Sequence, residues 1–327
     1  MATPSQTFTE LVSTTSRNWG AEVTDNVSDH IALLRLMKAR GNIKEISGGY
    51  EIQETLEYAE NSTYQRFSGY DQLNVNASDV ITSAKYPFQQ AAIHITASGR
   101  ELNMNAGKEA MFNLVKARKK NAKTTAMNQF SVDLYSDGTE ANQINGLANI
   151  IQTDGAGTVG GINATTWTFW ANKFKEMTGT NLAGTPNEAN SLSMRADMNS
   201  LYLSLVRGTD KPDVIVMSHD LYSLFEVGMQ ERQRYGTSTL GDAGFDVLKY
   251  KGIDVVFDDN TNFATTAEKA YFLNTKYLYL AQHKQAKWDM DTQKTPVNQD
   301  AVVIPSYWMG NLVCTNRALQ GVMFDAA

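Results

Sequence analysis

The stretch NMNAGKEAMFNLVKARKKNAKTTAMNQFSVDLYSD, residues 103–137, decides the fold. Met104, Met111, Leu114, Val115, Ala122 and Ala126 recur at the 3.6-residue period on one narrow stripe, and Lys116, Lys119, Lys120 and Lys123 gather on another face. No proline interrupts the run, and its one glycine, Gly107, falls in the first turns, where it costs little. Asn103 or Asn105 can cap the start, and Asp137-Gly138 supplies a stop. The pattern predicts a single helix of about 50 Å at about 1.5 Å per residue. That is near three times the usual helix length of about 11–12 residues. A rod this long braces more than one compact core.

Upstream of the rod the period is two. Tyr50, Ile52, Leu56 and Tyr58 alternate with Glu51, Gln53, Thr55 and Glu57, which predicts a half-buried strand. A second strand is expected over Tyr86 to Thr96, carrying Phe88, Ile93 and Ile95. The connection between them, Ala59 to Lys85, is too long for a hairpin turn, and it is polar and aromatic, as in Tyr64-Gln-Arg-Phe-Ser-Gly-Tyr70. The two strands and their loop read as a projecting arm with little core of its own. Residues 1–25 are rich in Thr and Ser and read as an extended arm, with one short helix around Phe8, Leu11 and Val12 at most. Ser28 caps a helix bearing Ile31, Leu34 and Met37 and ending at Lys38, Arg40 and Gly41.

Downstream, Asn142 to Ile151 is expected as a short strand, and Asn163 as the cap of a helix holding Trp167, Phe169, Trp170 and Phe174. Thr180 to Asn190 is a polar loop, and Leu192 to Arg207 a helix with Met194, Met198, Leu201, Tyr202 and Leu205. Pro212 to Met217 is a buried strand, and Ser218 caps a helix over Asp220 to Met229. Gln230 to Phe245 reads as a surface loop, Tyr250 to Phe257 and Lys269 to Leu273 as strands, and Tyr277 to Phe324 as short strands only.

Composition bounds the function. With 327 residues, one to three domains are expected. A formal charge of −6 argues against a dedicated nucleic-acid binder. No run approaches eighteen consecutive apolar residues, so no membrane partner is expected. Residues 1–16 have neither the basic start nor the apolar block of a secretory signal. The single cysteine, Cys314, allows no internal disulfide and reads as a small buried residue in a strand of a chain folding in a reducing cytosol.

The familiar catalytic templates find no full match. Gly155-Ala-Gly-Thr-Val-Gly160 fits G-x-G-x-x-G. In a dinucleotide fingerprint the third glycine lies inside a helix whose N-terminus meets the pyrophosphate. Here Gly160-Gly161-Ile162 continues the loop, and Glu176 is expected in or beside a helix where the fingerprint needs the end of a second strand, so a flexible glycine turn is the expectation. Gly236 to Leu240 lacks the second glycine of a nucleophile elbow. Asp258, Asn260 and Asn262 imitate a calcium loop, but Phe263 replaces its turn glycine and Lys269 its bidentate glutamate. His30, His94, His219 and His283 show no metal spacing, and His219-Asp220 falls at an expected helix cap. No cofactor, metal or catalytic residue is assigned, and the chain is read as a non-enzyme.

The order of arm, long hairpin, spine helix, compact α/β unit and terminal strands resembles the major capsid proteins of tailed bacteriophages, the Hong Kong 97-like fold, an α+β class. The resemblance rests on the hairpin at Tyr50 to Thr96, the helix at Asn103 to Asp137, Asn145-Gly-Leu147, Pro212 to Met217, Gly252 to Val256 and the closing strand to Phe324, and runs from about Gly41 onward. It implies an N-terminal arm over 1–49, an extended β-hairpin loop over 50–96, and the spine helix with part of a peripheral domain over 97–141. It further implies a mainly axial domain over 142–273 and return strands of the peripheral domain over 274–327. The function implied is self-assembly into pentamers and hexamers of an icosahedral head enclosing double-stranded DNA, in the virion after assembly in the bacterial host cytoplasm. The partners implied are other copies of the chain, a separate scaffolding protein, a portal, in some relatives a decoration protein, and DNA contacted without sequence recognition. Rival readings are a nucleotide-dependent α/β enzyme using the Gly155–Gly160 loop, and a tail or decoration protein.

Charge suggests how copies meet. Glu51, Glu54, Glu57 and Glu60 line the first hairpin strand, opposite in sign to Lys116, Lys119, Lys120 and Lys123 of the rod. An acidic arm against a neighbour's basic helix is the expected contact. Some relatives join a hairpin lysine to a neighbour's asparagine, but the outer loop Ala59 to Ala84 holds Arg66 and no lysine. Arginine stays protonated, so no such bond is expected.

Overall fold

The computed structural model describes residues 32–104, 114–179, 186–230, 248–258, 267–290, 294–296 and 298–326. Two sheets and the rod between them organise these residues. The first sheet has four strands in the order β1 (Ile43–Ile46), β12 (Leu278–Met290), β13 (Ala301–Cys314), β4 (Gln89–Ser98). β1 runs parallel to β12, and the other pairs are antiparallel. Helix α1 (Ala32–Ala39) enters it and ends at Gly41, whose φ of +71° is left-handed. Asn42 N–H donates to Met37 O at 2.9 Å and Gly41 N–H to Lys38 O at 3.2 Å, the paired bonds of a Schellman stop.

This corrects the reading of the first 49 residues as an arm. Residues 32–46 are built into the sheet, because α1 buries Ala32, Leu33, Leu36 and Met37 and β1 is hydrogen-bonded to β12. The buried face is rotated from the expected one: Leu34 is only partly buried, and Ile31 lies outside the described residues. The arm and short helix expected over residues 1–25 lie outside them too.

Within the rod, the structure describes helices α2 (Gly99–Met104) and α3 (Leu114–Leu134); residues 105–113, with Gly107 and Met111, lie outside it. The 21 residues of α3 span about 31 Å. Ala122, Ala126, Phe130 and Leu134 are buried at i, i+4 spacing, extending the expected stripe by two turns. Asn103, expected as a cap, lies inside α2, which starts at Gly99. Glu101 N–H donates to Ser98 Oγ at 3.2 Å and Ser98 N–H to the Glu101 carboxylate at 3.0 Å, a capping box that the S-x-x-E spacing announces.

Arg118 of α3 then grips Glu101 through two guanidinium N–H groups at 3.0 and 3.1 Å. The Arg118 hydrogen bond, more than any other influence, holds the Glu101 carboxyl below its ordinary range. A carboxyl with a depressed folded-state pKa adds stability above its unfolded value of about 4.3 and loses it as pH falls through the folded value. Thermal unfolding between pH 6 and 3 is therefore expected to fall more steeply for the wild type than for Glu101→Gln. Equal slopes would show that the pair holds nothing.

The second sheet has six strands in the order β7 (Lys173–Glu176), β14 (Gly321–Ala326), β11 (Ala267–Leu273), β8 (Val214–Met217), β10 (Ile253–Phe257), β9 (Leu248–Tyr250). Val214 and Val216 face the core shared with the first sheet, while Ile215 and Met217 face helices α5 (Glu188–Leu205) and α6 (His219–Gln230). Burial on both faces explains the unbroken apolar run of β8. The ends of α3 and α1 are tied to the six-stranded sheet by polar contacts. Tyr135 O–H donates to the buried Asp258 carboxylate at 2.8 Å, and Arg40 pairs with Asp213, which also accepts from Thr275 N–H at 3.0 Å.

Several sequence expectations change here. Asn142 to Ile151 holds a short helix, α4 (Leu147–Ile150), not a strand: a Cβ at Gly146 would sit 2.3 Å from the Ser136 backbone, so this turn packs tightly on the end of the rod. The aromatic run makes a 3₁₀ turn, Thr168–Trp170, and then β7, because Trp170 is buried and donates to Val159 O at 3.0 Å while Trp167 and Phe174 stay half exposed. Tyr250 to Phe257 is a hairpin of β9 and β10, turned by Lys251 and Gly252 at φ +50° and +80°. Asn187 caps α5, accepting from Asn190 N–H at 2.9 Å, so the helix starts before Leu192. The loop read over Gln230 to Phe245 lies almost wholly outside the described residues. The C-terminal strands are long, 13 and 14 residues for β12 and β13. β14 joins the six-stranded sheet rather than returning to the first one.

Candidate intersubunit site

Among the described residues, strands β2 (Glu51–Glu57) and β3 (Ile81–Pro87) pair only with each other, from Glu51–Pro87 to Glu57–Ile81. The second hairpin strand is therefore Ile81–Pro87, and most of the stretch Tyr86 to Thr96 is instead β4, paired to β13. The base of the hairpin is well held. Ile52, Leu56, Ala84 and Tyr86 are buried in the main core. Tyr86 O–H donates to Cys314 O at 2.8 Å, the buried Asn311 amide to Pro87 O at 2.8 Å, and Lys85 N–H to Gly160 O at 2.9 Å. Burial pushes the Cys314 thiol up to about 12, as befits the inert strand residue expected.

Beyond the base the pattern inverts. Across residues 58–80 the polar groups bond one another: the Gln65 amide donates to Gln72 O at 2.8 Å and accepts from Asn74 N–H at 3.3 Å, Ser68 N–H donates to Asp71 at 2.8 Å, and Ser62 bonds Ser78 at 3.2 Å. The apolar side chains point outward. Tyr64 is 83% and Val75 90% exposed, and Tyr50, Phe67, Tyr70, Leu73 and Ile81 are also exposed. Apolar groups clustered outside an ordered polar skeleton mark an interaction surface. The sequence shows the aromatics, but not that they face away from the chain.

The charged residues divide. Period two places Glu54 on the face opposite to Glu51 and Glu57. Glu54 turns inward and accepts from the Tyr279 hydroxyl, whose ring carries Lys44 Nζ 3.7 Å from its centroid. Burial and Glu54 hold the Tyr279 phenol well above its ordinary range. Glu51 pairs with Lys85 at 3.2 Å in its own hairpin. Glu57, Glu60 and Arg66 are exposed, Glu60 lying beyond the strand. Lys120 and Lys123 are exposed on α3 and Lys119 is partly buried; Lys116 is in the helix.

The glycine stretch is turn-forming. Thr158–Val159 and Ile162–Asn163 pair as a two-residue-strand hairpin, β5 and β6, with Gly160 and Gly161 at its turn, φ +59° and +78°. A Cβ on Gly160 would lie 2.9 Å from that of Ala84, so the turn also admits the hairpin base. Arg317 is fully buried behind it and donates to Ala156 O at 2.6 Å and to Ile150 O. Asp258, first of the calcium-like residues, is taken up by Tyr135; Asn260 and Asn262 lie outside the described residues. His219 and Asp220 are exposed in the first turn of α6, 3.2 Å apart. Among the described residues, no group of three or more potential metal ligands gathers, and no helix is long and apolar enough to cross a membrane.

No protein-family model matches the sequence, and no curated protein matches it. Solved structures do match. The capsid of cyanophage A-1(L) aligns over 98% of this chain and 99% of its own at a TM-score of 0.64 and 17% identity. The capsid of Myoviridae phage XM1 aligns over 94% and 96% at 0.57 and 13% identity. The SrpI encapsulin of Synechococcus elongatus PCC 7942 aligns over 94% and 92% at 0.56 and 10% identity. The fold of this chain is thus that of phage capsid proteins, the Hong Kong 97-like fold expected from its order of elements.

Proposed function

We propose that this chain is the major capsid subunit of a tailed phage, building pentamers and hexamers of an icosahedral head around double-stranded DNA. The observation that carries this reading is the arm: an isolated hairpin, anchored at its base, whose ordered loop turns its apolar side chains away from its own subunit. Ordering such an arm costs conformational entropy that its own chain does not offset, so burial against a neighbour is its natural use. The full-length alignments to capsid subunits support the same reading. A separate scaffolding protein, a portal and a decoration protein are the partners proposed with it, and DNA meets the inner wall without sequence recognition. We place the axial unit at the six-stranded sheet and the peripheral unit at the four-stranded sheet and rod. Electron microscopy of the protein expressed with and without the other head proteins tests this. Closed shells support it, and tubes or soluble rings under both conditions overturn it.

Opposite charge sets the register between arm and rod in this reading. Glu57 and Glu60 carry the acidic side, since Glu51 and Glu54 are engaged within their own subunit; Lys119, Lys120 and Lys123, with Lys116, carry the basic side. Exposed pairs contribute about 0–1 kcal/mol each and weaken with salt. Reversing the four lysines to Glu is expected to leave the far-ultraviolet spectrum unchanged and to impair assembly severalfold, and Glu57→Lys with Glu60→Lys is expected to restore part of it. Empty shells without rescue would instead place the lysines against DNA.

A further inference from the structure

We propose that the outer edge of β3 accepts the segment Gln72–Ala77 of a second copy as an added strand. The inference rests on the reading of the chain as a self-assembling shell subunit and names the contact its arm makes. The backbone of β3 points alternately toward β2 and away from it. Val80 O accepts from Tyr58 N–H at 3.0 Å, across the hairpin, while Lys85 N–H points away from β2 to Gly160 O at 2.9 Å. Backbone groups in an antiparallel pair alternate in direction. The N–H and C=O of Ile81 and Ser83 therefore face the same way as those of Lys85, off the hairpin. Among the described residues no backbone hydrogen bond from this chain meets them. They open onto a cleft of about 420 Å³ walled by Gly160, Gly161, Trp167 and Phe169. Tyr58 closes one end, its ring 5.7 Å from that of Trp167. A free strand edge beside an aromatic-lined cleft is the geometry of strand addition, in which main-chain bonds bind and alternate side chains fill pockets.

The occupant is written in the same chain. Leu73-Asn-Val-Asn-Ala77 alternates apolar and polar residues as a strand does, yet it forms none here. Gln65 occupies the backbone of Gln72 and Asn74 with its side-chain amide, in place of a neighbouring strand. In an extended segment this leaves the other edge, at Leu73 and Val75, to pair outward, and both side chains are exposed. The segment does not turn back onto its own β3 in this structure. Ser78, which leads from the segment to β3, is held to Ser62 across the loop instead. Donor and acceptor are different surfaces, so each subunit gives one strand and receives one. Such a heterologous contact closes into rings when the rotation permits.

Paired cysteines test the contact directly, because Cys314 is fully buried and does not interfere. Oxidised Val75→Cys/Ser83→Cys, or Leu73→Cys/Ser83→Cys for the neighbouring register, is expected to give a ladder of disulfide-linked chains on a non-reducing denaturing gel. Each single variant is expected to run as a monomer. In parallel, Ser83→Pro deletes only an outward N–H and leaves the β2–β3 ladder intact. It is expected to fold normally and assemble about fivefold less well or worse, while Ser83→Ala assembles as wild type. Wild-type shells with no ladder from either pair, a shift confined to the monomer band, single variants that ladder as well as the pairs, or Ser83→Pro shells at wild-type yield would each overturn the strand exchange and leave the shell reading standing. A wild-type chain that stays monomeric with all its head partners present overturns the shell reading itself.

Discussion

Replacing Trp308 with alanine is expected to cost about 3–5 kcal/mol and to lower the unfolding midpoint by about 10 °C. Trp308 lies in the middle of β13, 2% exposed, and its ring meets Phe130 of α3 edge-on at 4.7 Å between centroids. With Trp288 of β12, whose ring lies 6.3 Å from that of Phe130, it clamps α3 onto the four-stranded sheet. Its space is made by Gly310, where a Cβ would stand 2.8 Å from the indole and 2.1 Å from Ala281 O. No neighbour can collapse into the hole, because the strands on both sides are fixed by their ladders. Trp308→Phe retains a ring against Phe130 and is expected to lose about a third as much. Calorimetry of the unassembled subunit checks both. A loss below about 1 kcal/mol for the alanine variant would mean that the rod is held elsewhere.

The second large effect separates folding from assembly. Changing Tyr64, Phe67 and Tyr70 together to serine is expected to leave the melting temperature of the subunit within about 1–2 °C, since all three rings are exposed and touch little of their own chain. Assembly is expected to fail. Burying a ring of this size contributes about 1.5 kcal/mol or more, so three together are worth roughly a factor of a thousand in association. Sedimentation of the wild type and the variant at equal concentration reads the difference. A variant that melts early, or one that assembles normally, would place the rings in the subunit core or on an idle surface. The charge reversals should act more weakly, because exposed ion pairs steer register while buried rings hold copies together.

What the sequence determined by itself is the order of parts from the hairpin onward: hairpin, long helix, α/β unit, closing strands. Periodicity carries that information locally. Ala122 and Ala126 lie under the sheet at helical spacing, Ile52 and Leu56 inward at strand spacing, and the run Val214–Met217 is buried on both faces as its unbroken apolarity requires. Ser98 and Glu101 even state where α2 begins, by a capping box that reading outward from Asn103 passes over. The tertiary structure alone decided the partners. Two stretches of equal β pattern, Ile81–Pro87 and Gln89–Ser98, go to different sheets, with the Asn311 amide bonded to Pro87 O where the chain passes from one to the other. Gly160 and Gly161 form a turn as the sequence suggests, but only the structure shows that a strand, and not the helix expected from Asn163, comes after them. Glu51, Glu54, Glu57 and Glu60 look like one acidic stripe until Tyr279, 225 residues from Glu54, claims one of them. The aromatic loop is read as exposed only when its polar groups are seen to bond one another, because sequence gives a side chain's character but not what is left to cover it.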